Sequence, residues 1–414
     1  MKITILSQYY QRSASPGISL LADTAAALSR NGHAVRVVAG RYGYMDRRKF
    51  GARQNPWSIV YREQDGEIEV FRTNSGNEES RSRLRRIISY FLFTFTCIAG
   101  LFAAGRPHVV LASSPPLFPA LTAWVYARIV GAKLVLEIRD LWPEAVVTLG
   151  VVRNRMIIRA TETLEVFLYR HADAVIALTN GVAEGVRHKT PSANILVARC
   201  AVERPTNTNT ETREAVRRDQ GWSKQVVALY AGTLGYANDL SIVLQAADAL
   251  RNYPHLCIVL IGDGVYRHEL ELEARRLDLA NVKFLPPLSR ASIWDYYAAA
   301  DIGLCTLSKC ELFEGAVPTK LVDYAAAGLP IVAPRLREIE SIVSFYDCGR
   351  LYSAGSPEAL AQTMLDLADH PELRQRLGER SRCAAANEFS IDERTRRVES
   401  FLFQVCGDAE ATAV

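Results

Sequence analysis

Hydrophobic residues in this chain fall into short runs, and between the runs the apolar positions recur at helical spacing. The runs lie at 2–6, 34–39, 109–113, 133–138, 174–178, 195–198, 226–231, 256–261, 282–285, 301–305 and 330–333. Continuous apolar runs of this length, bounded by Gly, Pro or polar residues, predict strands buried on both faces. Amphipathic stretches such as SLLADTAAALSRNGH and LSIVLQAADALRNYP separate most of them and predict crossover helices, so the chain reads as α/β with parallel sheets. The rhythm breaks once, at the polar stretch from Glu203 to Gln225, and then starts afresh. The pattern therefore predicts two doubly wound domains, 1–205 and 206–388. A helix at 389–406 is expected to pack back on the first domain, with a disordered tail at 407–414.

One segment departs from this rhythm. IISYFLFTFTCIAGLFAAG, from Ile87 to Gly105, contains no charge and follows Arg81, Arg83, Arg85 and Arg86. Its length would cross a bilayer, but its flanks read as strands of one sheet, which excludes a single crossing. Two readings stay open: a buried helix, or a helix whose exposed part dips into an anionic membrane surface beside its arginines. The arginine cluster favours membrane contact.

Charge sharpens that asymmetry. The 414 residues carry a net charge of +4, but residues 1–106 hold +8 and the remainder −4. The eight cysteines form no C-x-x-C pair and no Cys/His cluster at metal spacing, which suits a reducing compartment and argues against a disulfide framework or structural zinc. MKITILSQYY lacks the apolar length and cleavage site of a secretory signal. The expected location is cytoplasmic, and nucleic acid is not an expected partner.

In open parallel sheets ligands bind beyond the carboxyl ends of strands, so the residues that follow each run are the candidates. In the second half, Gly232-Thr233-Leu234-Gly235 follows one strand and Gly262-Asp263-Gly264 the next, with Arg267 one turn into the following helix. Glycines there let a ligand approach the backbone, and a helix start offers N–H groups to phosphate. The stretch VPTKLVDYAAAGLPIVAP adds a third site. Pro318 is expected to begin a helix with free N–H groups at Thr319, Lys320 and Leu321, with Lys320 for an anion and Asp323 for a hydroxylated group. An ordinary surface ion pair is the alternative for Lys320 and Asp323. Three anion-competent strand ends point to a nucleotide, and neither glycine pattern is a G-x-G-x-x-G or a P-loop. In the first half, Pro16-Gly17 follows the first strand. Arg139, Asp140, Trp142 and Glu144 crowd another strand end beside Ser113 and Ser114. A salt-bridged capping loop is the alternative there.

Together these motifs resemble the retaining glycosyltransferases of family 4. The resemblance covers nearly the whole chain, from SQYYQRSASPG through EIRDLWPE, YAGTLG, IGDG and VKFLPPLSRASIWDYYAAADIGL to VPTKLVDYAAAGLPIV. It implies the GT-B fold, two Rossmann-like domains facing across a cleft. IRDLWPE with Pro-Thr-Lys is similar to the subgroup that builds O-antigen and capsule, including N-acetylfucosaminyltransferase-like members. The resemblance then implies transfer of an N-acetylated amino or deoxy-amino sugar from a nucleoside diphosphate donor, a UDP-sugar, to a polyprenyl-diphosphate-linked saccharide at the inner face of the cytoplasmic membrane. Retention of configuration is implied by the same resemblance. No further cofactor is expected, and no metal, because no D-x-D falls at a strand end.

Carried over residue by residue, the ribose-binding glutamate falls on Asp323 and its paired glutamate on Gly315, next to Glu314. The Arg and Lys that hold the donor phosphates fall on Thr233 and Asn238, neither cationic, which leaves Lys320, Arg267 and Arg290. Gly17, Gly232, Thr233, Gly235, Asp263, Arg267, Thr319, Lys320, Leu321 and Asp323 are then the expected donor contacts. Backbone near Leu285 is expected to receive the base. A histidine common in the family falls on Arg139. Asp140, with Arg139, is the candidate for the acceptor's proton, and Ser114, Trp142 and Glu144 for holding the acceptor. A sugar-nucleotide 2-epimerase and an inactive partner subunit share the architecture and stay as alternatives.

Overall fold

A computed structural model describes residues 1–10, 20–41, 59–75, 83–144, 147, 152, 154–202 and 210–407. Gly17, the 205/206 boundary and the tail at 408–414 lie outside these residues. The chain divides into two units, Met1–Arg199 with Ile391–Val414, and Cys200–Ser390.

Among the described residues the first unit holds eight strands: β1 (Lys2–Ser7), β2 (Ala34–Gly40), β3 (Val60–Asp65), β4 (Ile68–Thr73), β5 (Val109–Ser114), β6 (Lys133–Ile138), β7 (Ala174–Ala177) and β8 (Ile195–Val197). Their order is β3-β4-β2-β1-β5-β6-β7-β8, parallel except for β3 against β4. The β3–β4 hairpin goes beyond the sequence prediction. Its strands carry Arg62, Glu63, Asp65, Glu69 and Arg72 in place of an apolar run, and only Asp65-Gly66 marks the turn. Arg72 is nevertheless fully buried, held by Glu63 at 2.8 Å and by the carbonyls of Tyr10 and Gly40.

Helices cover both faces of this sheet. One face packs on Arg83–Ala103 and Phe118–Val130 through Phe93, Cys97, Leu101, Ala123 and Tyr126. The other packs on Leu20–Arg30 and Ile391–Cys406 through Leu21, Leu28, Val398 and Leu402. In that second layer Arg394 reaches Glu137, next to last in β6, at 2.8 Å, Thr24 at 2.7 Å and the Arg199 carbonyl at 3.0 Å. Both charges are almost wholly buried, so removing one strands the other in a low-dielectric interior. Arg394→Leu is expected to cost about 3 kcal/mol, with part recovered by adding Glu137→Gln, as read by urea unfolding.

The apolar segment is a helix with two different faces. Ser89, Phe93, Cys97 and Leu101 are buried, while Ile88, Phe91, Phe95 and Phe102 recur three, four and seven residues apart on the open side. Phe95 is 73% exposed, and Val125 and Ile129 of the next helix are open as well. Among the described residues no helix is long and apolar enough to cross a membrane.

The second unit holds β9 (Val226–Ala231), β10 (Leu256–Ile261), β11 (Val282–Leu285), β12 (Ile302–Leu304), β13 (Ile331–Pro334) and β14 (Gly349–Tyr352). All are parallel, in the order β11-β10-β9-β12-β13-β14. Successive strands step one way from β9 to β11 and the other way from β12 to β14. The reversal between β9 and β12 opens a crevice at their carboxyl ends, where a ligand meets least backbone.

Candidate active site

Two glycine turns build the floor of that crevice. Gly232 and Gly262 have φ of 146° and 147°, and a Cβ on Gly262 would lie 1.9 Å from the Gly232 carbonyl oxygen. A Cβ on Gly264 would lie 2.2 Å from the Leu234 carbonyl oxygen. The turns after β9 and β10 are thus pressed backbone to backbone, which glycine alone permits. The N–H groups of Gly232 and Leu234 go to the carbonyls of Ile261 and Asp263, both at 2.9 Å. Asp263 itself caps the Gly264 N–H at 2.8 Å.

Lys320 enters this floor from the helix Thr319–Ala327. Its Nζ donates to the Tyr230 hydroxyl at 2.9 Å and to Asn238 Oδ1 at 2.7 Å, and lies 4.2 Å from the Tyr230 ring centre. The side chain beside Gly232 is only 8% exposed, and among the described residues it forms no ion pair. Burial without an opposing carboxylate pulls its pKa down to about 8, with Cys305 pulling slightly the other way. Tyr230 donates its own O–H to the Thr233 carbonyl at 2.8 Å, and Asn238 Nδ2 donates to the same carbonyl at 3.0 Å. Tyr324, one turn beyond Lys320, accepts the Ala231 N–H at 2.9 Å and fixes this helix to the end of β9.

The structure sorts the other predicted donor residues. Pro318 caps the helix rather than opening it, and its carbonyl takes the Leu321 N–H at 3.0 Å, so Leu321 offers no free donor there. Arg267 is committed to Gly262 and Leu285 carbonyls and, at 2.8 Å, to Glu271. It braces the ends of β10 and β11, and Lys320 is left as the cation at the turn. Asp323 engages the hydroxyl of buried Tyr297. Glu314 accepts the Arg337 N–H at 2.7 Å and so caps the helix Arg337–Tyr346. Tyr230 and Tyr324 were not predicted. The first sits inside an apolar strand and the second inside an apolar helix, where an aromatic reads as core.

In the first unit, Arg139 follows β6 and donates its N–H to the Ser114 carbonyl at 2.9 Å; Ser114 itself is buried. Asp140 is exposed, yet desolvation by the surrounding protein raises its carboxyl pKa, with the Arg139 charge opposing. Trp142 packs edge-on to Phe118 at 5.5 Å between ring centres, and Phe118 lies 4.9 Å from Phe91 of the apolar helix. Glu144 stands 3.6 Å from Lys189. Among the described residues no group of His, Cys, Asp and Glu side chains comes together as a metal site would need.

This architecture is the GT-B fold. Sucrose-phosphate synthase from Thermosynechococcus elongatus superposes with a TM-score of 0.77 at 15% identity, covering 98% of both chains. Anabaena HepE in complex with UDP-glucose gives 0.71 at 19% identity, over 97% of this chain and 99% of that one. Residues 20–201 match the family of glycosyl transferase 4-like domains and residues 212–383 the glycosyl transferases group 1. The chain is accordingly a glycosyltransferase of the group 1 type. WcaI of Escherichia coli strain K12, named as a colanic acid biosynthesis glycosyl transferase, is 24% identical over 311 residues, 73% of this chain and 75% of its own length. WbjE of Pseudomonas aeruginosa, named as a probable glycosyltransferase, is 25% identical over 309 residues, 72% of this chain and 74% of its own.

Proposed function

We propose that the chain transfers an N-acetylated amino or deoxy-amino sugar, with retention, from a UDP-sugar to a polyprenyl-diphosphate-linked saccharide in surface-polysaccharide synthesis. The observation that carries this is Lys320. A buried ammonium with only a hydroxyl, an amide and a ring beside it costs stability, and a site at a strand-order reversal is where that cost serves an anion. Lys320 and the helix start hold the diphosphate, next to the backbone of Gly232, Thr233 and Gly235. Its charge replaces that missing at Thr233 and Asn238, and it stabilises the leaving diphosphate without a metal. Thr319 contributes its N–H, and Asp323, reoriented from Tyr297, takes the ribose. Leu285 and the Gly262-Asp263 turn border the base. The UDP-glucose bound to HepE supports a nucleotide-sugar donor, and the name of WcaI supports a polysaccharide product.

Asp140 orients the acceptor hydroxyl and takes its proton, Arg139 tunes it, and Trp142 with Glu144 flanks the acceptor. Its raised pKa places the base nearer the working pH, and activity falls as acid protonates it. Asp140→Asn is expected to lower kcat about a hundredfold with little change in donor KM. The open apolar face of Arg83–Ala103, a helix whose start lies among the four arginines at 81, 83, 85 and 86, is proposed to rest on the anionic inner face of the cytoplasmic membrane.

The test supplies the protein with anionic phospholipid vesicles carrying a polyprenyl-diphosphate-linked monosaccharide and a panel of labelled nucleoside diphosphate sugars. Donor-dependent lengthening of the lipid product supports the reading. Release of a C2 isomer without acceptor would make the protein an epimerase, and nucleotide binding with no product across the panel would make it an inactive subunit.

A further inference from the structure

The opposite, amino-terminal ends of the second unit's strands carry a depression of about 430 Å³ that the proposed transfer leaves unused. Among the described residues Asp301 is the only carboxylate in its lining, and both its oxygens are taken, by Arg213 at 2.6 Å and Arg217 at 2.9 Å. Arg374 enters from the first turn of the helix Pro371–Glu388, with one nitrogen on the Leu367 and Ala368 carbonyls. Burial lowers its pKa; Asp301 and, more weakly, Asp369 offset this, and the Arg213 and Arg217 charges add to it. Arg382, about two turns further on, lies across Gly328, where a Cβ would come within 2.5 Å of its Nε. Among the described residues Arg382 has no acidic partner.

Among the described residues the lining thus holds Arg213, Arg374 and Arg382 against one carboxylate that two guanidinium groups already neutralise. Such an excess of positive charge, set in a concavity walled by Trp294 and Pro330, calls for an anion. Guanidinium forks match pairs of oxygens on a tetrahedral phosphate, and the volume lies in the range of small-molecule sites and leaves room beyond a bare ion. The helix that carries Lys320 at its start is capped by Gly328 at its end, about 13 Å along its axis. This depression is therefore separate from the candidate donor site.

We propose that this depression binds the phosphate group of a small phosphorylated molecule through Arg374 and Arg382. The inference holds whether or not Lys320 serves a sugar donor.

Calorimetric titration of the full chain with inorganic phosphate and with glycerol 1-phosphate, at constant ionic strength in chloride, tests it. The Lys320→Ala background removes the donor-side cation, and one saturable site per chain is expected to remain there. Adding Arg382→Ala weakens that site about tenfold or more, the scale of one charged hydrogen bond. Arg374→Ala does the same; because Arg374 also holds helix carbonyls, the surface variant at Arg382 is decisive, with its melting temperature checked. Tighter glycerol 1-phosphate identifies an organic monoester as the ligand class, and tighter inorganic phosphate the free ion. Absence of a saturable site in the Lys320→Ala background, or unchanged binding in Arg382→Ala, overturns the proposal.

Discussion

Lys320→Ala is expected to cut the transfer rate about a thousandfold, the upper end for removing one preorganised group that meets developing charge. The same change should leave the fold intact. Lys320 is buried without a counter-ion among the described residues, so its removal relieves a desolvation penalty while Tyr230 keeps its bond to Thr233. Lys320→Met, which keeps the stem's packing, should match or exceed the parent in stability. The pH dependence follows from the amine's depressed pKa. As pH rises through about 8 the folded protein loses this charge, so kcat/KM for the donor falls. Bound diphosphate holds the proton on, and kcat alone falls only at higher pH. Stability moves the other way: the unfolded chain keeps this proton to the ordinary lysine range, so between about 8 and that range the contribution of Lys320 to stability rises with pH. Rate measurements on the parent, and urea unfolding of the parent and the methionine variant, both across pH 7 to about 10, separate the two effects. Full activity in Lys320→Ala would remove this residue from the reaction.

Gly262→Ala is expected to cost more than about 5 kcal/mol, enough to unfold the second unit at ordinary temperature. The added Cβ would stand 1.9 Å from a backbone oxygen, where no side chain can move aside, and at a φ of 147° that L residues rarely adopt. Gly232→Ala is the instructive contrast. Its φ is as strained, but its Cβ would meet side-chain atoms at ordinary contact distance, Lys320 Cε at 3.5 Å, Tyr230 Oη at 3.7 Å and Lys320 Nζ at 3.8 Å. That variant should fold with a loss of about 1–3 kcal/mol and a raised donor KM. Urea unfolding followed by fluorescence of Trp222 and Trp294, both in the second unit, reads the difference. A loss below about 2 kcal/mol for Gly262→Ala would mean that the two turns are not in contact.

The two-domain α/β plan was legible because parallel strands buried on both faces must be apolar along their length, as LCIVLI and VVALYA are. The β3–β4 hairpin was not, because its charges are satisfied by tertiary partners such as Arg72 with Glu63 and remote carbonyls. β14, Gly349–Tyr352, escaped for a related reason: it is a four-residue edge strand containing an arginine. At the candidate site, the glycine turns and the helix carrying Lys320 could be read from their order along the chain. What the amine reaches could not, since Tyr230 and Asn238 are 90 and 82 residues away. Nor does any local pattern distinguish Arg267 as a brace of strand ends from Arg267 as an anion ligand.

The bond between Glu137 and Arg394 joins residues 257 positions apart, with all of the second unit between them. During synthesis, at about 5–20 residues per second, β6 emerges roughly 13 to 50 seconds before the helix that completes it. Over that interval the nascent first unit holds an uncompensated carboxylate and an open apolar face where Val398 and Leu402 will later sit. The second unit, by contrast, is contiguous in the chain and has every strand it needs before the last helix is made. The order of maturation is therefore expected to be the reverse of the order of translation, and a ribosome that stops short of Ile391 releases a first unit without the helix that covers this face.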